Sequence, residues 1–461
     1  MMQHALAVPV VAMLTGATAL GSTPIRLDEV RALSRENASV LLAELKQRQA
    51  AAAVELARAS VYPQIAFSAG FVYTTTSTQR YYTALPIANA PGNMSYAEQA
   101  IDIPGTARPS FDAAISVNQL VYDGGRWWHQ IAAAGAQEDA ARGQQREEQM
   151  TAELEGVRRF YELFRAQRGL EVLEATAQRS LEQVDRAESL FTAGRVGRDE
   201  VLAAQVNLAN DRIAVIQQKS RLVAMRAQLA AWIMRPLDEE LRAVDPGTLG
   251  AEPSPSSYGD LPGSPPPTLE SLCELAKQQR PLLRALSNLK RAAELEVDIA
   301  GAGYWPRISV SGALSRNGST IDPYFTDPTK QNVLSAGVSM RWDLFSGFAT
   351  RAQVAQALAN VRSAQINLEQ AERELRADVQ RTLAALEAQI EAARIAAGNV
   401  QTARAGLELA EERFRTGTGS TLAVRDAQLK VVQTELVALE SRIDVEIAHA
   451  ALARAVGAGE T

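Results

Sequence analysis

The sequence predicts a mainly α-helical chain with a β-barrel part. It is built as two repeats of one unit: helix, β-hairpin, very long helix, return helix. Three observations predict this. A Pro-free stretch from about Gly125 to Phe191 carries Met150, Leu154, Val157, Tyr161 and Phe164, then Leu173, Ala177, Leu181 and Val184, at steps of three and four. At ~1.5 Å per residue it makes a rod on the order of 100 Å long, too long for a globular core helix. The segments before it switch to a period of two. The whole programme then recurs later in the chain.

Composition bounds the function. The 461 residues include 47 Lys and Arg against 53 Asp and Glu, a net charge of -6, which gives no basic footprint for nucleic acid. Cys273 stands alone, and His4, His129 and His449 are scattered, so neither a disulfide framework nor a metal site is expected. There is no nucleophile elbow, zinc-binding His pair or dinucleotide loop. The expectation is a non-enzyme without a cofactor.

Residues 1–21 read as a secretory signal peptide. The run 5–20 is apolar apart from small polar residues, and Ala17-Thr18-Ala19 and Ala19-Leu20-Gly21 have the small-x-small form of a cleavage site. The start carries His4 but no Lys or Arg; the alternative is a short buried helix. No Cys stands just after the run, so no lipid attachment is expected there.

The first repeat covers 22–235. Ile25 to Ser60 reads as a helix that stops before Tyr62-Pro63, because a residue preceding Pro avoids the α region. A strand at about 64–75 sets Ile65, Phe67, Ala69, Phe71 and Tyr73 against Ala66, Ser68, Gly70, Val72 and Thr74. A loop rich in Tyr, Thr, Pro, Asn and Gly follows. A second strand at about 110–121 has Phe111, Ala113, Ile115 and Val117 on one face. Asp123-Gly124-Gly125 leads into the long helix, about 125–191. A turn at Gly194 and Gly197 leads into the return helix, about 199–234. Residues 236–267, rich in Pro, Ser and Gly, read as an irregular connector.

The second repeat covers 268–456, with Thr268 as a plausible N-cap. Trp305-Pro306 follows Tyr62-Pro63 at an offset of 243 (305 − 62). Strands at about 307–316 and 332–343 alternate in the same way, and Phe345-Ser346-Gly347 replaces Asp123-Gly124-Gly125. A second long helix, about 348–414, ends at Phe414-Arg-Thr-Gly417, which matches Phe191-Thr-Ala-Gly194 at an offset of 223 (414 − 191). The return helix spans about 420–456. A repeat of this size outweighs any local motif.

Four strands with one apolar face cannot close a barrel alone, since the smallest transmembrane barrels have eight. Open edges cannot face lipid. The strands could lie in a soluble sheet, but aromatics near their ends, among them Tyr73, Tyr81, Tyr82, Trp305, Tyr324, Phe325, Trp342 and Phe345, suit a membrane wall. Three chains would give twelve strands, and their six helical hairpins would roll into a hollow cylinder.

The chain resembles the TolC family of outer-membrane channels. The residues that carry the likeness are the duplicated aromatic-Pro pairs, the strand-to-helix junctions Leu120-Val-Tyr-Asp-Gly-Gly125 and Trp342-Asp-Leu-Phe-Ser-Gly347, and the tips. The tips pair Phe191-Thr-Ala-Gly194 with Val201-Leu-Ala-Ala-Gln205, and Phe414-Arg-Thr-Gly417 with Val424-Arg-Asp-Ala-Gln428. The likeness covers nearly the whole chain after the leader and fits the unlipidated branch. It implies a homotrimer, a twelve-stranded outer-membrane barrel joined to a periplasmic α-helical tunnel, and an equatorial belt near 236–267. It implies docking of the tips onto a periplasmic adaptor (membrane fusion) protein that joins an inner-membrane pump of RND, ABC or MFS type. The implied function is passive export in efflux or type I secretion, across periplasm and outer membrane. An alternative from another class is a structural coiled-coil or adhesin-like envelope protein, which explains the long helices but not the duplicated hairpins.

The resemblance also assigns roles. Asp426 and Glu200 fall where family members carry acidic gate rings, although each also fits a solvated helix face. Ala423 stands where some members have another acid, and Gly419 where the tip is often basic. Gly194, Arg195, Arg198, Thr416, Gly417 and Thr418 are placed for adaptor docking, with Phe191 and Phe414 packed inside the tips. Gly124, Gly125 and Gly347 mark the junctions. Tyr73, Trp305 and Trp342 are expected at the membrane interface. The cargo is not written in the sequence, since the pump would choose it.

Overall fold

The computed structural model describes residues 22–90, 93–247, 268–319, 332–416 and 418–458. The proposed signal peptide, most of the connector, Tyr324, Phe325 and Gly417 lie outside these residues. Two compact units divide the chain, and neither coincides with a sequence repeat. One spans Met1–Gln47, Ala141–Leu286 and Asn367–Thr461; the other spans Arg48–Ala140 and Ser287–Ile366.

The first unit is built on helices. Among the described residues the α-helices, in chain order, are α1 (Leu27–Ser34), α2 (Ala38–Ala59), α3 (Arg126–Thr192), α4 (Arg198–Trp232), α5 (Leu269–Gln279), α6 (Pro281–Gly301), α7 (Ala349–Arg415) and α8 (Thr421–Val456). Both long helices, α3 and α7, have 67 residues. Among the described residues, no helix is long and apolar enough to cross a membrane. Of the stripe read from the sequence, Leu154, Val157, Tyr161, Phe164 and Val184 are buried, while Met150, Leu173, Ala177 and Leu181 are half-buried. Val157, Tyr161 and Phe164, joined by Phe160 and Leu163, pack with Val30 of α1, Leu222 and Leu229 of α4, and Ile443 of α8. A second core joins Leu272 and Ala276 of α5 and Leu283 of α6. Leu375, Val379 and Leu386 of α7 and Leu452 of α8 complete it.

A helix read as continuous is broken. The segment 25–60 divides at Arg35–Asn37. There the Asn37 Oδ1 accepts from the Ser39 amide at 2.9 Å, capping α2, while its Nδ2 donates to the Trp232 carbonyl at 2.6 Å. A side chain that competes with the backbone for these bonds ends a helix as surely as Pro does. After Thr268, whose hydroxyl caps α5, helical structure breaks again at Arg280-Pro281, where Arg280 is extended (ψ 121) as a residue before Pro must be.

The second unit holds a four-stranded antiparallel sheet of β2 (Gln64–Thr75), β5 (Ala107–Tyr122), β7 (Arg307–Gly318) and β8 (Asn332–Arg341), in the order β2-β5-β7-β8. Trp342, read at a strand end, falls just beyond β8. The segment 76–106, read as a loop, contains a further hairpin, β3 (Gln79–Ala90) with β4 (Asn93–Ile103). Large side chains are exposed on both of its faces, Tyr81 and Leu85 on one, Tyr82 and Tyr96 on the other, so no one-sided alternation marks it in the sequence. In the first unit, β1 (Thr23–Ile25) pairs in parallel with β6 (Leu241–Ala243), which gives the start of the connector a regular strand. Three residues are too few to show a period.

Candidate pore wall and hairpin tips

The register of the sheet sorts its side chains by chemistry. Row by row, Phe67, Ile115, Leu314 and Leu334 are partners, and Ile65 and Val117 lead to Gly312 and Ala336. A bulge between Leu120 and Tyr122 keeps Tyr122 beside Ile308 and Met340. These residues share one face, because side chains two apart point the same way. The opposite face carries Gln64, Asn118, Ser311 and Gly337 in one row and Ala66, Ser116, Ala313 and Ser335 in another. The apolar face is uncovered: Phe67 is 72% exposed, Val338 73% and Leu334 81%. Among the described residues, β2 and β8 each leave one edge without a strand partner.

The three aromatics expected at the membrane interface, Tyr73, Trp305 and Trp342, are all exposed. The Trp342 Nε1 donates to the Tyr304 carbonyl at 3.1 Å, which fixes the ring where the strand ends. Trp127 and Trp128, stacked at 3.8 Å, lie in the first turn of α3 and were not singled out from the sequence; their position one residue beyond Gly124-Gly125 was the available signal. Gly124, Gly125 and Gly347 all have positive φ, at 75°, 85° and 62°. At Gly124 a side chain is also barred by space, since a Cβ would lie 2.8 Å from the Ala302 carbonyl oxygen.

In the other unit, the α3–α4 turn closes on Gly194, with φ 69°. Its amide donates to the Phe191 carbonyl and that of Arg195 to the Leu190 carbonyl, both at 2.9 Å. This pair of bonds is a helix C-terminus that wants a left-handed residue, hence Gly. Arg195 and Arg198 are exposed beside it. Phe191, expected inside the tip, is 45% exposed, and Phe414 is half-buried. In the α7–α8 turn the amides of Thr418 and Gly419 both donate to the Arg413 carbonyl, at 2.9 and 3.0 Å. The hydroxyls of Thr416 and Thr418 lie 3.0 and 3.2 Å from the same oxygen. They shape the turn before they can serve any partner. The Ser420 hydroxyl caps α8 by accepting from the Ala423 amide.

Asp426 points outward, its side chain 62% exposed, and pairs with Lys430 one turn on at 2.7 Å. Glu200 sits in the first turn of α4, where a carboxylate suits the positive helix end. Among the described residues no hydrogen bond or ion pair links these two acids. The neighbouring Arg425 behaves oppositely. Its side chain and that of Asp211 on α4 are 10% and 12% exposed and meet at 2.8 Å. Arg425 also donates to the Ser180 hydroxyl of α3 at 3.0 Å, and Gln183 donates to Gln428 at 2.7 Å. Removing one partner of such a pair would cost about 3–5 kcal/mol, because the other charge stays buried. The signal was present in the sequence: Arg425 falls on the stripe Val424, Gln428, Val431, Val432, which is buried.

A second buried ion cluster joins Glu147 of α3 with Arg280 at 3.2 Å and Arg454 of α8 at 3.1 Å, and Arg280 with Asp378 of α7 at 3.4 Å. Burial pushes the Glu446 carboxyl of α8 up, opposed by the charges of His449 and Arg31 and by a hydrogen bond from Tyr161. No group of three or more potential metal ligands occurs among the described residues.

Comparison with known proteins places this architecture. The family model described as outer membrane efflux protein matches residues 30–233 and 272–458. The protein CyaE of Bordetella pertussis is 27% identical over 347 residues, covering 75% of this chain, and the match spans 65% of the length of CyaE. The structure of CusC, described in terms of transmembrane channel formation, superposes over 94% of this chain and 92% of CusC, with a TM-score of 0.75 at 16% identity. The outer membrane channel CmeC of Campylobacter jejuni gives a TM-score of 0.74 over 94% of this chain and 86% of its own, also at 16% identity. The fold is therefore that of these channels. With both of its repeats matched by the family model, the chain belongs to the outer membrane efflux protein family.

Proposed function

We propose that the chain is an outer-membrane exit duct, a passive conduit for efflux or type I secretion. The sheet carries this reading. It has one exposed apolar face, one small and polar face, and two edges without partners among the described residues. Lipid against the first face, water against the second and neighbouring copies at the edges satisfy all three conditions. The four strands are antiparallel throughout, so β8 of one copy can pair antiparallel with β2 of the next, and three copies give the twelve strands of a closed barrel.

The helices support the same homotrimer. On α4, Leu202, Val206, Ile213, Ile216 and Val223 are all exposed. Leu202, Ala209, Ile216 and Val223 lie seven residues apart, a seam spaced for another helix. In this reading the tips at Gly194, Arg195, Arg198, Thr416, Gly417 and Thr418 meet a periplasmic adaptor, which links the duct to an inner-membrane pump of RND, ABC or MFS type. Asp426 and Glu200 line the periplasmic gate, and Tyr73, Trp305 and Trp342 sit at the lipid interface. Like charges brought together on a three-fold axis would favour cations and resist ionising together.

The test is recovery of a heat-sensitive trimer from the outer-membrane fraction, followed by planar-bilayer recording. Conductance is expected, and it rises when Asp426 and Glu200 are replaced by Ala. A soluble monomer, or a trimer silent even with both replacements, would favour a structural envelope protein instead.

A further inference from the structure

The charge of the sheet runs against that of the chain. The whole chain is acidic, with a net charge of -6. Strands β2, β5, β7 and β8 carry Arg108, Arg307, Arg316 and Arg341, and Asp112 is their one acid. Register assigns these residues to faces. Arg108 is the partner of Thr74 and Asp112 the partner of Gly70, both on the small, polar face. Arg307 and Arg341 follow Ser309 and Ser339 on that same face. Arg316, opposite Ala113, is on the apolar one.

Arg307 and Arg341 are themselves direct register partners. Two like charges placed opposite each other on neighbouring strands destabilise the pair. The fold of one chain does not explain them: among the described residues no carboxylate pairs with Arg307. Arg341 bonds only to Asp343, at 3.2 Å, with both side chains well exposed. Both guanidiniums therefore stand in water on the face that lines the lumen once the sheet closes with its apolar side to lipid.

We infer that this lumen is an anion-attracting passage, in which Arg307 and Arg341 act as specificity-determining residues. The inference rests on the duct reading above. Three-fold closure brings the two positions around the lumen as a ring of six guanidiniums, and rings of Arg are the standard means of favouring anions in a pore. The chemical class favoured is anionic: small carboxylates and phosphates, or the acidic segments of an exported chain. The effect belongs to the barrel wall, independently of Asp426 and Glu200 at the tips.

The test is a reversal potential across a planar bilayer under a potassium chloride gradient. The trimer is held open by Asp426→Ala with Glu200→Ala, so that gate acids do not contribute. The expected chloride-to-potassium permeability ratio is above one in this parent. It falls toward one in Arg307→Gln and in Arg341→Gln, and below one when both are Glu. Arg307→Lys retains the parent ratio, since charge and not fork geometry carries the effect. The differences fade at about 1 M salt, where the screening length is ~3 Å. If the double Glu variant does not assemble, the single Gln variants carry the measurement. A conducting set with one common ratio at low salt overturns this inference and leaves the duct standing. A parent trimer that never conducts overturns the duct, and the inference with it.

Discussion

Phe348 occupies the position that Gly125 holds in the first repeat, at the same offset of 223 (348 − 125) that relates Gly347 to Gly124. All four residues have positive φ, and Phe348 stands at 66°. For a residue with a Cβ this left-handed region costs roughly 1–2 kcal/mol. The T-shaped contact with Phe345, at 5.4 Å between centroids, returns part of it, but both rings are largely exposed. Phe348→Gly is therefore expected to stabilise the folded chain, by up to about 1 kcal/mol after the entropy cost of Gly is set against it. Thermal dissociation of the purified protein measures this. A lowered midpoint would show that the ring contact outweighs the backbone strain.

At the scale of elements, the two faces of each strand make opposite demands. Val338 and Ser339 are neighbours in β8, partnered by Val310 and Ser309 on the two faces of the sheet. Val338→Arg is expected to cost about 2–4 kcal/mol if its position lies near the bilayer midplane, and to reduce trimer in the outer-membrane fraction. Ser339→Arg is expected to leave that amount unchanged. Equal losses from both would mean that the sheet does not divide lipid from water. The same one-sidedness explains what was legible in the sequence. The sheet strands and α3 announced themselves because each buries or commits one face, giving a period of two or a period near 3.6. The hairpin β3–β4 is wetted on both faces and carried no period. The break at Arg35–Asn37 turns on one capping amide, and the pair Arg425–Asp211 joins residues 214 apart. Contacts at that distance depend on how helices meet, which a local pattern does not encode. At the tips, Gly194 was readable because a left-handed turn selects Gly, whereas the hydroxyls of Thr416 and Thr418 look like free surface groups until the turn is seen.

The whole molecule interleaves its repeats. Each compact unit takes segments from both halves of the sequence. Glu147 and Asp211 come from the first repeat; their partners Arg280, Arg454 and Arg425 come from the second. Residues 1–247 expressed alone are thus expected to be degraded, and to become protease-resistant when 248–461 are supplied as a second chain. Resistance of the first half by itself would show that the repeats fold independently. The strand order β2-β5-β7-β8 also sets a timetable. Tyr122 ends β5 and Arg307 begins β7, 185 residues later (307 − 122). At a synthesis rate of roughly 5–20 residues per second, the hairpin of β2 and β5 waits roughly 10–40 s for its neighbour, with bare edges and Phe67, Phe71 and Ile115 in water. That interval, before a second copy is met, is when the newborn chain most needs a holding chaperone, and when a protease has its best opportunity.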